Sequence, residues 1–214
     1  MKTTSITLAA LMLTQGIANA SAVATWSSIS NGSATGILPS AVIAATTSDP
    51  GSTFWGISTH HLTAPTWQAG YALPMGSEAL IALSVNAGDW QQFNFAGEIT
   101  TLLVYIENFD ASSMANVMAT GATSMSLLSG SPSISYAATN ATSGVLSSSN
   151  ASPNGEGDAI LAITGPISAL RLDYTGGTGG NAVLYGFAVP EPASIAVWAV
   201  LLSVVGVVAV RRRK

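Results

Sequence analysis

Phe93-Asn94-Phe95-Ala96-Gly97-Glu98-Ile99 aligns with Leu161-Ala162-Ile163-Thr164-Gly165-Pro166-Ile167, and the match continues in register, Leu102 with Leu170, Val104 with Leu172 and Ile106 with Tyr174. In each copy apolar residues alternate, a glycine interrupts, and the alternation resumes. A period of two puts every second side chain on one face of a strand. Each copy therefore reads as strand, glycine-centred corner, strand. Such a corner lets a chain pass from one sheet of a sandwich toward the other.

The rest of the body follows the same grammar. Apolar alternation at 41–46, 53–58, 78–86, 90–95, 99–107, 159–164, 167–175 and 182–189 predicts strands. Turn formers separate them: Pro39, Asp49-Pro50-Gly51, Ala87-Gly88-Asp89, Gly97, Gly165-Pro166 and the glycine-rich run 176–180. No body segment sustains a 3.6-residue apolar period. Many short strands with regular turns predict an all-β fold, a two-sheet antiparallel sandwich wound like a jelly roll, over residues 21–188. Residues 111–154 are rich in Ser, Thr, Ala and Asn, and short outer strands at 124–128 and 133–137 with long exposed loops are expected there.

The two ends are built differently. Met1-Lys2, an apolar run (Ile6 and residues 8–13) and Ala18-Asn19-Ala20 supply the positive, apolar and small-x-small parts of a secretory leader. The run is too short to span a bilayer, so a cleaved signal helix over 1–20 is expected, with Ala22 as the alternative cutting point to Ala20. At the other end, Val189-Pro190-Glu191-Pro192-Ala193-Ser194 leads into an uncharged apolar stretch, 195–210, followed by Arg211, Arg212, Arg213 and Lys214. A transmembrane helix over 193–210 would be roughly 27 Å long, enough for the hydrocarbon core. The four cations behind it would stay cytoplasmic, making it a stop-transfer segment with the body across the membrane.

Motif, helix and basic cluster together resemble the PEP-CTERM sorting signal of Gram-negative and related bacteria. Pro190, Glu191 and Pro192 match its motif, Arg211, Arg212, Arg213 and Lys214 match its basic cluster, and the resemblance is confined to 189–214. It implies exosortase, a membrane-embedded cysteine protease, as a processing partner beside the export machinery. It further implies anchoring in the inner membrane before cleavage, then residence in the cell envelope, at the cell surface or outside the cell. Proteins with this signal are associated with biofilm-forming producers of exopolysaccharide, which implies an adhesion or matrix role with exopolysaccharide as a partner. The stretch 93–110 is also similar to the jelly-roll domains of fibrillar surface adhesins, which share its order of aromatic strand, corner, aliphatic strand and Asp.

The ends distort the bulk composition. The whole chain carries a formal charge of −4, yet five of its six cations, Lys2 and the four terminal ones, lie outside residues 21–189. Within that range Arg171 stands against nine acids, a net charge of −8. A body with one cation cannot neutralise a phosphate backbone, which excludes nucleic acid as a partner. There is no cysteine, so disulfides, thiolate metal sites and a cysteine nucleophile are excluded as well. About 170 residues form one domain able to bury its own core.

Catalytic grammar is sparse. His60 and His61 are the only histidines, and adjacent strand residues point to opposite faces, so the pair cannot chelate one metal without a turn and reads as structural or surface histidine. No Gly-x-Ser-x-Gly elbow, nucleotide-binding glycine fingerprint or EF-hand spacing occurs. Glu107 and Asp110, with Asp158 or Asp173 joining from elsewhere, are a candidate oxygen site for calcium, a hard cation that wants six to eight such ligands; ordinary loop acids are the alternative. Paired carboxylates would also suit a glycan-active hydrolase, the weakest of three readings. Trp67 and Trp90, with Trp55 and Tyr71, are candidates for an aromatic glycan-binding platform, or for core residues. The expected function is a non-enzymatic adhesion or biofilm-matrix protein, with a carbohydrate-binding module as the alternative.

Overall fold

The computed structural model describes residues 21–48, 53–58, 77–83, 85–109, 113–149, 157–176 and 182–190. The expected leader with Ala18 and Ala20, the expected helix 193–210, and Glu191, Pro192, Arg211, Arg212, Arg213 and Lys214 lie outside that set. So do His60, His61, Trp67, Tyr71 and Asp110.

The described chain is all-β. Its strands are β1 (Ser21–Val23), β2 (Thr25–Ser30), β3 (Ser33–Leu38), β4 (Ala41–Thr47), β5 (Thr53–Ser58), β6 (Ala79–Leu83), β7 (Trp90–Gly97) and β8 (Thr101–Glu107), followed by β9 (Met114–Thr120), β10 (Ser124–Gly130), β11 (Ile134–Asn140), β12 (Ser143–Ser148), β13 (Ala159–Thr164), β14 (Ala169–Gly176) and β15 (Val183–Pro190). They form two antiparallel sheets. One has seven strands in the order β10-β13-β8-β15-β6-β5, with β1 paired to β15; the other has eight in the order β11-β12-β9-β14-β7-β4-β3-β2. The sheets face each other across one core, in which Phe93 of β7 meets Phe187 of β15 at 4.7 Å and Tyr185 at 5.1 Å between ring centroids.

The glycine corners cross between the sheets. Gly97 takes the chain from β7 in the eight-stranded sheet to β8 in the seven-stranded one, and Gly165 takes it back from β13 to β14. Both adopt the left-handed region, φ 140° and 125°. At Gly97 a Cβ would stand 2.1 Å from the Ser40 carbonyl oxygen, so only glycine fits. The two corners bond to each other, Gly165 N–H to Thr100 C=O and Ile167 N–H to Ile99 C=O, each at 2.9 Å. The first strand of each copy consequently pairs with the second strand of the other, β7 with β14 and β13 with β8.

The sheets differ in exposure. In β8, β13 and β15 nearly every position is buried, the continuous apolar pattern of strands covered on both faces. Leu102, Val104 and Ile106 enter the shared core, whereas Leu103 and Tyr105 join Ala79, Ile160, Leu184 and Ala188 in a second buried cluster on the opposite face. The eight-stranded sheet alternates instead, as in β4 and β9, and turns one face to solvent.

Residues 111–154 depart from expectation. Four strands, β9 to β12, occupy most of this region, and β9 is internal, between β12 and β14. Its inward side chains are Ala115, Val117 and Ala119, all fully or nearly fully buried, so its core face is too small to register as an apolar run. The N-terminal strands β1 to β3 escape for the same reason: β3 buries Ala34 and Leu38 among Ser, Thr and Gly.

Candidate functional site

The acidic candidates separate on inspection. Glu107 ends β8 and is 1% exposed, which is unlike a solvated loop acid. Asp158 precedes β13, and its Oδ1 accepts the Asn108 backbone N–H at 3.2 Å. Asn108 itself has φ 58°, and its Nδ2 donates to the Ala182 carbonyl at 2.5 Å. Phe109 N–H donates to Gly157 C=O at 2.7 Å. Asp158 thus fastens the exit of β8 to the entry of β13. Among the described residues no group of three or more metal-ligating side chains assembles.

The tryptophans also divide. Trp26 is buried against Phe187, its ring face on Gly36. Trp55 stands 69% exposed on β5, the edge strand of the seven-stranded sheet, at a β-bulge. Trp90 opens β7 in the middle of the other sheet and is half-buried. Trp55 and Trp90 therefore belong to different sheets and do not form one platform.

Around Trp90 the register builds something more specific. β7 reads Trp90-Gln91-Gln92-Phe93-Asn94-Phe95, with Gln91, Phe93 and Phe95 inward and Trp90, Gln92 and Asn94 outward. β14 lies antiparallel beside it, so that Asp173 faces Trp90, Arg171 faces Gln92 and Ala169 faces Asn94. Period-two alternation on both strands then brings Trp90, Gln92, Asn94, Arg171 and Asp173 to the open face, while Gln91 stays inward. The Arg171 guanidinium lies over the Trp90 ring, 4.4 Å from its centroid. Arg171 Nε donates to Asp173 Oδ1 at 2.7 Å and Nη1 to Gln92 Oε1 at 3.3 Å, while Gln92 Nε2 donates to Asn94 Oδ1 at 2.9 Å.

Each contact is individually weak. The ion pair is about one-third exposed on both sides, and such pairs contribute at most about 1 kcal/mol. The cation–π stack adds a similar amount, about 0.5–1 kcal/mol. Their combined effect is to order five side chains before any ligand arrives. The next strand, β9, adds Asn116 opposite Asp173 and Met118, 38% exposed, opposite Arg171. Neighbouring outward positions are Ala44 and Thr46 on β4, and Ser143 and Val145 on β12.

Of the sequence candidates, this face includes Trp90 and Asp173, the latter away from Glu107. Gln92, Asn94 and Asn116 carry no motif of their own beyond the alternation Trp90-x-Gln92-x-Asn94. In the sequence Arg171 is only a charge, and its position over Trp90 depends on the register of β7 against β14. Comparison with family profiles, curated proteins and solved structures finds no match to this chain.

Proposed function

We propose that this chain is an exported bacterial surface or extracellular-matrix protein whose jelly-roll-like β-sandwich holds polysaccharide on the open face of its eight-stranded sheet. The observation that carries the binding reading is the ordered group of Trp90, Arg171, Gln92, Asn94 and Asp173. An aromatic ring offers an apolar face to the C–H side of a sugar, and planar amides and carboxylates answer its hydroxyls in both donor and acceptor senses. The repeated crossing of the chain between sheets from β6 onward supports the jelly-roll-like winding.

Export rests on the leader 1–20 and on the resemblance of 189–214 to a PEP-CTERM signal. In this reading exosortase and the export machinery are transient partners and exopolysaccharide is the lasting one. The role is adhesive rather than enzymatic. Retention on beads coated with the producing cell's own exopolysaccharide tests binding, and loss of retention in Trp90→Ala is expected. Unchanged retention in that variant would remove the face from consideration. Mass spectrometry of the exported chain is expected to find Ser21 first and an end close to Pro190, Glu191 or Pro192; an intact Lys214 on the exported chain would overturn the sorting reading.

A further inference from the structure

We infer that the open face selects an uncharged polysaccharide and rejects acidic ones, an inference that rests on the glycan-binding reading above. Arg171 is the single cation between Ser21 and Val189, against nine acids. A polyanion approaching this face meets a body of charge −8, and only Arg171 could offset that repulsion. The geometry has already committed it. Its Nε is bonded to Asp173 at 2.7 Å, its Nη1 contacts Gln92 at 3.3 Å, and its guanidinium plane is spent on Trp90. The pair Arg171–Asp173 presents a net charge of zero at the centre of the face. A carboxylate or sulfate on the ligand would find only the remaining Nη hydrogens of a cation whose charge Asp173 already balances, on a body that repels it.

The same face suits hydroxyls. Gln92 uses its Oε1 toward Arg171 and its Nε2 toward Asn94 Oδ1, which turns the Asn94 amide nitrogen outward in role: it is the donor left over. Asp173 keeps its second carboxylate oxygen as an acceptor. Trp90, Asp173 and Asn116 stand in one cross-strand row on three adjacent strands. At about 4.8 Å per strand the row is about 10 Å long, room for roughly two sugar rings. With one face of the Trp90 ring under Arg171, its other face, an acceptor and an amide along that row recognise a neutral sugar without any net ion pairing.

The test is affinity electrophoresis of the exported protein, made from the full chain, through gels containing a neutral glucan, a neutral galactomannan or alginate as the acidic probe. Expected is retardation by at least one neutral polymer, changing less than twofold between about 0.05 and 0.5 M salt because no ion pair is screened. Trp90→Ala should weaken it at least tenfold, and Trp90→Phe, which keeps an aromatic face, should retain part of it. Retardation by alginate that falls steeply with salt would overturn the inference while leaving the glycan-binding reading standing. Retardation by none of the three polymers would overturn both.

Discussion

The amide of Ile167 donates to the carbonyl of Ile99 at 2.9 Å, joining the two residues that stand just past the glycine corners of the matching stretches. Both side chains are about 1% exposed and close the core at the corner rim. The corner therefore has two requirements, a backbone that turns with positive φ and room for a second backbone to approach.

Gly97→Ala violates both requirements, since φ is 140° and the new Cβ would meet the Ser40 carbonyl oxygen at 2.1 Å. Gly88, with φ 96°, has no atom within 4 Å of a built Cβ, so Gly88→Ala incurs the backbone cost alone. Urea denaturation is expected to show a loss of about 1 kcal/mol for Gly88→Ala and of about 3 kcal/mol or more for Gly97→Ala. Equal losses would mean that the Gly97 corner relaxes away from Ser40.

Between the sheets, the Tyr174 hydroxyl meets the Tyr185 hydroxyl, and Tyr185 donates to Gln91 Oε1 at 2.8 Å. Because Tyr185 has spent its proton on Gln91, Tyr174 is the donor between the two phenols. Burial pushes both phenols well above the usual tyrosine range, and for Tyr185 the neighbouring phenol adds to the rise. A raised folded-state value means the folded protein holds protons that the unfolded chain releases above about pH 10. Stability is thus complete below pH 10 and falls as pH rises beyond it, by up to about 2.7 kcal/mol per pH unit for two such groups. Chemical denaturation between pH 9 and 11.5 is expected to show that slope, and Tyr174→Phe to halve it.

The fold was legible where the core faces are large. Phe93, Phe95, Leu102, Val104 and their counterparts announce strands because each inward position carries a bulky side chain. β9 and β3 were opaque because alanine and glycine occupy inward positions, and packing against the opposite sheet rather than local propensity makes them strands. The site was half legible. Trp90 is conspicuous in any sequence, but Arg171 lies 81 positions further on, and nothing local says that it will stack there. Only the register of β7 against β14 does.

Asn108 has φ 58° and binds the Ala182 carbonyl through its side chain, while its own amide is held by Asp158. Asn108→Gly relieves the backbone but loses the side-chain bond, a cost of about 1 kcal/mol; Asn108→Ala keeps the strain and loses the bond, about 2 kcal/mol. Asp158→Ala removes a charge-assisted contact to a backbone amide, about 1.5–3 kcal/mol. If Asp158 acts as a fastener, its loss lowers the melting temperature equally in calcium and in EDTA. A calcium-dependent difference would instead mark this corner as a cation site, because a bound ion stabilises only the folded chain.

β1, the shortest strand at three residues, holds only to β15, through Ser21↔Pro190, Ala22↔Val189 and Val23↔Ala188, with Ala24 N–H on Phe187 C=O at 2.8 Å. It takes the flank of β15 that β6 leaves open, because β6 pairs only with residues up to Tyr185. On the other flank the ladder to β8 ends at Ala188↔Leu103, two residues short of Pro190, which has no N–H to offer. Pro190, the first residue of the Pro-Glu-Pro sequence, is consequently paired through β1 alone. Ala22→Pro should break that hold at a cost of about 1–3 kcal/mol confined to the seam. Hydrogen exchange followed by mass spectrometry is expected to show peptides covering 187–190 exchanging at least tenfold faster in the variant, with 101–107 unchanged. Exchange across 187–190 that is already fast in the wild-type protein would mean that β1 leaves the motif strand free, and that the sheet ends at Phe187.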